Sequence, residues 1–167
     1  ILDQLGGNLR LVISGAAAID PEAIKGFNNL GISAVQGFGM TEASPVISAE
    51  NDKEHALGSC GHAMLGVDLR IDNPDENGVG ELIAKGPNIM AGYYENEEET
   101  AKVLRDGWLH TGDYGRFDED GFLYICGRKK NVIVTKNGKN IFPEEVEFYL
   151  AKSDFIAEVV VRGKDDE

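Results

Sequence analysis

The sequence has few cysteines, few basic residues and no long apolar run, and each shortage excludes a class of protein. Its two cysteines, Cys60 and Cys126, form no CxxC pair, so we expect reduced thiols in a cytoplasmic protein rather than a disulfide or metal site. The chain has 16 Lys and Arg against 29 Asp and Glu, a net charge of -13, which argues against a nucleic-acid partner. No run approaches the roughly 20 apolar residues that a membrane span requires.

The 167 residues, 42% of them hydrophobic, are enough for one compact globular unit or two small ones. The chain starts without methionine, and its first residues, Ile1 to Gln4, lack the basic and apolar regions of a signal peptide. We therefore expect an excerpt from a longer protein.

The first third of the chain predicts strand, helix and strand. Residues 9–13 and 33–36 are short, mostly apolar runs, and a helix with its first turn at Pro21 separates them. Two strands of one sheet joined by such a crossover are parallel. Loops 14–19 and 37–42 would then leave the carboxyl edge of the sheet, where open α/β sheets bind ligands.

In the rest of the chain, the pattern of apolar residues and turn sequences changes twice. From residue 58, alternating apolar residues and dense turn sequences predict an antiparallel sheet, and after residue 127 a hairpin, a helix and a strand at 159–161 follow. The predicted fold is mixed α/β and α+β. It comprises the end of a parallel α/β subdomain (1–57), a small antiparallel β subdomain (58–127) and the start of a small α+β C-terminal domain (128–167).

Loop 37–42 contains residue types that suit a phosphorylated ligand. Glycines let the backbone approach a flat or phosphorylated group, and Thr41 offers a hydroxyl and an N–H to a phosphate. Glu42 offers a carboxylate to Mg²⁺, which prefers oxygen ligands. A tight turn with surface Thr and Glu explains the same residues.

Two later motifs carry groups that suit a ribose. Asp113, after His110-Thr111-Gly112, can accept hydrogen bonds from two neighbouring hydroxyls, and Arg128 can donate to a ribose oxygen or a phosphate. A solvated turn and a solvated charge cluster are the respective alternatives. We expect His110 to be structural, because no paired nucleophile or metal-ligand spacing accompanies it.

Eight motifs taken in chain order resemble the adenylate-forming superfamily, and within it the acyl-CoA synthetases, especially the long-chain fatty-acid–CoA ligases. The motifs are SGAAAI (14–19), QGFGMTE (36–42), GEL (80–82), GPN (86–88), GYY (92–94), GWLHTGD (107–113), GRKKN (127–131) and GKNIFPEEVE (138–147). The resemblance spans nearly the whole chain.

This resemblance implies an ATP-dependent ligase that forms an acyl-adenylate and then transfers the acyl group to coenzyme A, with Mg²⁺ bound. By motif position, the implied nucleotide-binding residues are Gly15, Ala16, Ala17, Gln36, Gly37, Phe38, Asp113, Tyr124 and Arg128. Phe38 would stack on the adenine, Thr41 would contact phosphate and Glu42 would bind Mg²⁺. Lys130 falls at the family's hinge, about which the C-terminal domain rotates.

Some features expected from the family lie outside this chain or depart from its pattern. The phosphate loop with its lysine should lie upstream of Ile1, and the late catalytic lysine should lie beyond Glu167. Ala18 replaces a common proline, and an extra residue between 128 and 138 blurs any coenzyme A role for Lys136 or Lys139. We therefore expect a fragment that is inactive alone.

Two other interpretations stay open. One is a non-catalytic module that binds adenylate or a protein partner. The other is an adenylate-forming ligase for an aryl or other carboxylic acid, because most of the acyl pocket lies outside this stretch. Peripheral membrane contact by the longer protein also stays open.

Overall fold

A strand–helix–strand unit begins the computed structural model, which describes residues 2–15 and 19–163. Strands β1 (Leu11–Ser14) and β2 (Ser33–Gly39) pair in parallel, and helix α1 (Pro21–Asn29) connects them. The side chain of Asp20 caps α1 by accepting a 3.0 Å hydrogen bond from the N–H of Glu22. The predicted crossover and its helix start are confirmed.

Two further strands that the sequence analysis did not predict extend this sheet. Strands β3 (Val46–Ala49) and β4 (His62–Ala63) add antiparallel neighbours, giving the order β1-β2-β3-β4. The first sheet thus includes residues beyond 57. The domain boundary at 57/58 itself stays a prediction.

The second sheet is antiparallel throughout, as predicted. Its strands are β5 (Asp68–Asp72), β6 (Gly80–Lys85), β7 (Leu104–Arg105), β8 (Trp108–Phe117) and β9 (Leu123–Arg128). Their order is β5-β6-β8-β7, and β9 also pairs with β8. The alternative of a solvated turn at 110–113 is wrong, because all four residues lie inside β8.

Helix α2 (Glu97–Val103) lies between β6 and β7, and Asn96 is its N-cap. Asn96 accepts a 3.1 Å hydrogen bond from the N–H of Glu99 through its side chain. Three glutamates occupy the first turn, where the positive end of the helix dipole favours acids.

After β9 the chain forms a hairpin of β10 (Ile133–Val134) and β11 (Asn140–Ile141), followed by α3 (Pro143–Leu150). The predicted strand at 159–161 is wrong, since these residues have no regular secondary structure. The N–H of Val161 donates instead to a carboxylate oxygen of Glu147, at 2.7 Å. Among the residues described, no helix is long and apolar enough to cross a bilayer.

One apolar core joins the two large sheets. The cluster contains Ala43, Ile47, Cys60, Val67, Leu82, Ala84, Leu109 and Leu123. Ile47 from the first sheet and Leu82, Leu109 and Leu123 from the second are completely buried. Burying each such side chain contributes about 1.5–3 kcal/mol, so the shared core holds the first sheet against the second.

Candidate functional site

A cavity of about 460 Å³ lies where the first sheet meets strands β8 and β9. Six residues that the sequence analysis assigned to nucleotide binding line this cavity, namely Gly15, Gln36, Gly37, Phe38, Asp113 and Arg128. The predicted residues Ala16 and Ala17 lie outside the described residues. The fold therefore brings segments that are far apart in sequence to one concave surface.

The glycines of the 37–42 motif belong to strand β2 rather than to a loop, which corrects the prediction. A Cβ at Gly37 would lie 3.0 Å from the carbonyl oxygen of Ser48, and a Cβ at Gly39 would overlap the carbonyl of Pro45. The turn before β3 therefore requires glycine at position 39, and the close approach of β3 leaves little room for a side chain at position 37. A ligand is not needed to explain them.

Gln36 is buried and bonds through both ends of its amide. Its Oε1 accepts a 3.1 Å hydrogen bond from the N–H of Ile19, and its Nε2 lies 3.4 Å from Sγ of Cys60. Its backbone N–H donates to a carboxylate oxygen of Glu50 at 2.9 Å. These bonds tie residue 19 to β2 at the edge of the cavity.

Both cysteines line the cavity, and both are free thiols. Burial raises the pKa of Cys60 above its ordinary value, and burial likewise raises the pKa of Cys126. Each thiol is therefore protonated and weakly reactive at neutral pH.

Asp113 and Arg128 are directly opposite each other on β8 and β9. Nη1 of Arg128 donates to both carboxylate oxygens of Asp113, at 3.1 and 3.2 Å. The Asp113 side chain is 7% exposed and that of Arg128 is 49% exposed. Burial raises the pKa of Asp113, and the charge and hydrogen bond of Arg128 oppose that rise. The pair places one carboxylate and one guanidinium on the cavity wall.

Thr41 and Glu42 follow β2 in a 3₁₀ helix, Thr41–Ala43. Thr41 is exposed, and neither residue is among those that line the cavity, although the neighbouring Met40 is. The carboxylate of Glu42 accepts a 2.8 Å hydrogen bond from the hydroxyl of Tyr93. The predicted phosphate and magnesium residues therefore lie just beyond the cavity rim.

Tyr124 lines a second, larger cavity of about 1200 Å³ between β9 and α3. Burial raises the pKa of Tyr124, and the guanidinium of Arg116 lies 4.7 Å from the centre of its ring. Gln36 also lines this cavity, so the two spaces adjoin. Tyr124 thus lies beside the smaller cavity rather than in its wall.

Lys130 is exposed in the 3₁₀ helix Lys129–Asn131, which follows β9 directly. Its neighbour Lys129 donates from Nζ to Oε2 of Glu81 at 2.7 Å. The same oxygen lies 3.2 Å from Nδ1 of His110. His110 therefore shares one carboxylate oxygen of Glu81 with Lys129, and its structural role stays a prediction.

Burial favours a raised pKa at Glu81, but the hydrogen bonds and charges of Lys129 and His110 outweigh it and lower the pKa. Asp72 lies close enough that candidate ligand atoms of Asp72, Glu81 and His110 fall within 4.8 Å of one another. The ammonium of Lys129 already supplies positive charge to this group.

The chain matches a known protein family. The pattern of the family described as AMP-binding enzyme matches residues 2–94. The chain belongs to the AMP-binding enzyme family.

Curated relatives of this AMP-binding enzyme chain act on different acids by name. It is 41% identical to the long-chain-fatty-acid–CoA ligase of Bacillus subtilis (strain 168), over 95% of this chain and 30% of that protein. It is 37% identical to the indoleacetate–CoA ligase of Aromatoleum aromaticum, over 96% of this chain and 32% of that protein. The chain therefore spans about a third of the length of these relatives.

A solved structure supports the same fold assignment. The O-succinylbenzoate coenzyme A synthetase of Bacillus subtilis, in complex with ATP and magnesium ion, is 30% identical and superposes with a TM-score of 0.85. The match covers 99% of this chain and 38% of that one. The mixed α/β and α+β fold predicted from sequence is that of the corresponding part of an adenylate-forming enzyme.

Sequence reasoning missed the contacts of three side chains in and around the candidate site of this AMP-binding enzyme chain. Glu144 lines both cavities and accepts a 2.6 Å hydrogen bond from Nδ2 of Asn131. Glu81 binds Lys129, and Tyr93 binds Glu42. All three lie in motifs that carried the family resemblance, but their partners are distant in sequence, so no local pattern identifies them.

Proposed function

We propose that this chain is part of an ATP-dependent acyl-CoA ligase. One observation carries the proposal. In a chain of the AMP-binding family, the β2 motif residues Gln36–Phe38 and the pair of Asp113 and Arg128 line the same cavity. Its volume of about 460 Å³ falls in the range of roughly 300–1,000 Å³ typical of small-ligand sites.

The proposed reaction has two displacements. A carboxylate oxygen of the acid attacks the α-phosphorus of ATP, the bond to the bridging oxygen breaks, and pyrophosphate leaves. The thiol sulfur of coenzyme A, having lost its proton, then attacks the acyl carbon and AMP leaves. Such chemistry needs positioning and charge neutralisation more than a strong protein nucleophile.

Asp113 and Arg128 suit the ribose and the phosphate. A carboxylate has about four lone-pair sites, so Asp113 retains capacity for hydroxyl donors while it accepts two bonds from Arg128. Arg128 is half exposed and carries five donors, so it can also reach a ligand oxygen. Phe38 offers an apolar ring for the adenine in the same cavity.

Thr41 and Glu42 would serve the phosphates and the metal. Glu42 supplies the hard oxygen ligand that Mg²⁺ prefers, and its carboxylate is already oriented by Tyr93. Bound Mg²⁺ would neutralise charge on the phosphate oxygens. Thr41 is exposed at the rim, and its hydroxyl and N–H would bind phosphate there.

For the acid, we propose a long-chain fatty acid, in line with the 41% identical relative. An aryl acid is the second candidate, because the indoleacetate–CoA ligase is 37% identical over as much of the chain. Pyrophosphate exchange by the longer protein with hexadecanoate and with indole-3-acetate distinguishes the two. The preferred acid should give the higher kcat/KM.

The remaining assignments from the sequence belong to the same proposal of an ATP-dependent acyl-CoA ligase. They are the three domains (1–57, 58–127 and 128–167), the hinge at Lys130, the nucleotide contacts of Gly15, Gln36 and Gly37, and the nearby position of Tyr124. Coenzyme A as co-substrate, a role in fatty-acid metabolism and a cytoplasmic location also stay predictions.

Nucleotide binding by Asp113→Asn tests the proposal in the longer protein. The amide keeps the size of the carboxylate but loses its charge as an acceptor for ribose hydroxyls. Because hydrogen bonds to charged groups contribute about 1.5–3 kcal/mol, we expect ATP affinity to fall about tenfold to a hundredfold. Isothermal titration calorimetry with Mg-ATP measures it.

Asp106→Asn is the matched control, because Asp106 is exposed and has a φ of 52°, which Asn tolerates. This variant should bind Mg-ATP like the unchanged protein. Equal affinities for all three proteins would remove Asp113 from the site. Tight nucleotide binding without any acyl-adenylate, for any acid offered, would instead favour the non-catalytic binding module.

A further inference from the structure

The segment between β6 and α2 holds the turn that follows β2. Asn88 donates from Nδ2 to the carbonyls of Ala43 and Val46, at 2.8 and 3.1 Å. The N–H of Met90 donates to the carbonyl of Glu42 at 2.8 Å. A piece of chain outside the first sheet thus fixes the backbone at Glu42 and in the turn that follows it.

The same segment also holds the side chain of Glu42. The hydroxyl of Tyr93 donates to Oε1 of Glu42 at 2.8 Å, although the two residues are 51 positions apart. A carboxylate has a second oxygen and further lone pairs, so this bond orients the group without using up its capacity for a cation. Main chain and side chain of Glu42 are therefore set from one neighbouring segment.

Tyr93 is itself held in place by α2. Its N–H donates to Oγ1 of Thr100 at 2.8 Å, and that hydroxyl donates to the carbonyl of Asn96 at 2.8 Å. Gly92 has a φ of 150°, and a Cβ there would lie 2.8 Å from Cγ2 of Thr100. The loop can approach the helix this closely only with glycine at that position.

We propose that Tyr93 is a positioning residue, which presets the Glu42 carboxylate for a divalent cation bound with ATP. The proposal rests on the role assigned to Glu42 under the proposed function. The proposal assigns this role to Tyr93, the first tyrosine of the GYY motif. It does not extend to the second, Tyr94, which is 90% exposed. A preset ligand binds more tightly because less side-chain freedom is lost on binding.

Metal binding by Tyr93→Phe tests this inference in the full-length protein. Mn²⁺ serves as the spectroscopic probe, and paramagnetic resonance counts the free ion during titration with a non-hydrolysable ATP analogue present. Ordering one mobile side chain costs about threefold to tenfold in affinity, so we expect Mn²⁺ binding to weaken by about that factor. Affinity for the nucleotide without metal should stay unchanged.

Tyr94→Phe is the matched control and should leave Mn²⁺ affinity unchanged. Equal Mn²⁺ affinities for the two variants would overturn the inference while leaving the proposed function intact. Tighter binding by Tyr93→Phe would also overturn it, because the hydroxyl would then compete with the metal. If the unchanged protein binds no Mn²⁺ with the nucleotide, the proposed function fails and this inference fails with it.

A merely structural role for Tyr93 predicts a different result. It would lower the urea midpoint and the affinities for metal and nucleotide together, whereas a positioning role changes only the metal affinity. Unfolding curves of both variants, recorded beside the titrations, separate the two cases.

Discussion

Removing Arg128 should destabilise the protein through Asp113. In the unchanged protein the Asp113 side chain is only 7% exposed, and Arg128→Gln removes both hydrogen bonds that Nη1 donates to its carboxylate. Breaking a fully buried ion pair costs about 3–5 kcal/mol. Because Arg128 is 49% exposed, solvent screening lowers our expectation to about 1–2 kcal/mol at pH 7.

Urea unfolding followed by the fluorescence of the single tryptophan, Trp108, measures this loss. With a urea dependence of about 2 kcal/mol per molar, the midpoint should fall by about 0.5–1 M. Arg10→Gln, a change of an exposed arginine, is the control and should alter stability by less than about 0.5 kcal/mol.

The loss should depend on pH in a defined direction. Burial raises the pKa of Asp113 and Arg128 opposes the rise, so the substitution raises that pKa further. The folded variant then binds more protons than the unfolded chain above the ordinary aspartate pKa of about 3.9, and its stability falls as pH rises through that window. The deficit should be largest at pH 7 and should shrink toward pH 4.

A double-mutant cycle isolates the pair. In an Asp113→Asn background, Arg128→Gln should cost about 1 kcal/mol less than in the unchanged protein, because no buried charge is left unpaired. An equal cost in both backgrounds, or a deficit of the same size at pH 4 and pH 7, would refute the reasoning.

Two further predictions concern the surroundings of the site. Glu81→Gln should lower the unfolding free energy by about 1–2 kcal/mol at pH 7, since Lys129 and His110 lower the pKa of Glu81 below its ordinary value. The stability that ionised Glu81 contributes is present above the pKa of this group in the unfolded chain and is lost as pH falls. In urea curves recorded from pH 7 to 3, the unfolding free energy of Glu81→Gln should therefore fall less with acid than that of the unchanged protein. Glu119→Gln in an exposed turn is the control. Gly39→Ala should cost about 3 kcal/mol, because its Cβ would overlap the carbonyl of Pro45. Gly26→Ala, in open space on α1, should instead stabilise by about 0.5–1 kcal/mol, and a loss there would contradict the steric argument.

Local chemistry explains why some elements could be predicted closely. A capping side chain bonds to an N–H two or three residues away, so Asp20 and Asn96 identify the starts of α1 and α2 without any knowledge of the fold. The hairpin of β8 and β9 likewise depends on a turn within the same stretch.

Pairings over long distances explain the errors. Gly37 and Gly39 look like a ligand-binding loop in sequence, but β3 packs against them and makes them strand residues. At 159–161 a valine run suits a strand, yet the N–H of Val161 bonds to Glu147 instead of to a neighbouring strand. Whether these residues form a strand depends on which distant part of the chain packs against them.

The sequence by itself predicted the family of this chain, its mixed fold and the residue types available for a nucleotide, and the match to the AMP-binding enzyme family confirmed the family. Only the tertiary structure decided that Asp113 pairs with Arg128 and that Tyr93 reaches Glu42. The physical reason is that residue type and local hydrogen bonding act over a few positions of the chain. The partner of Asp113 is set by the register of β8 against β9, and the partner of Glu42 by the packing of a segment 51 positions away against the turn after β2.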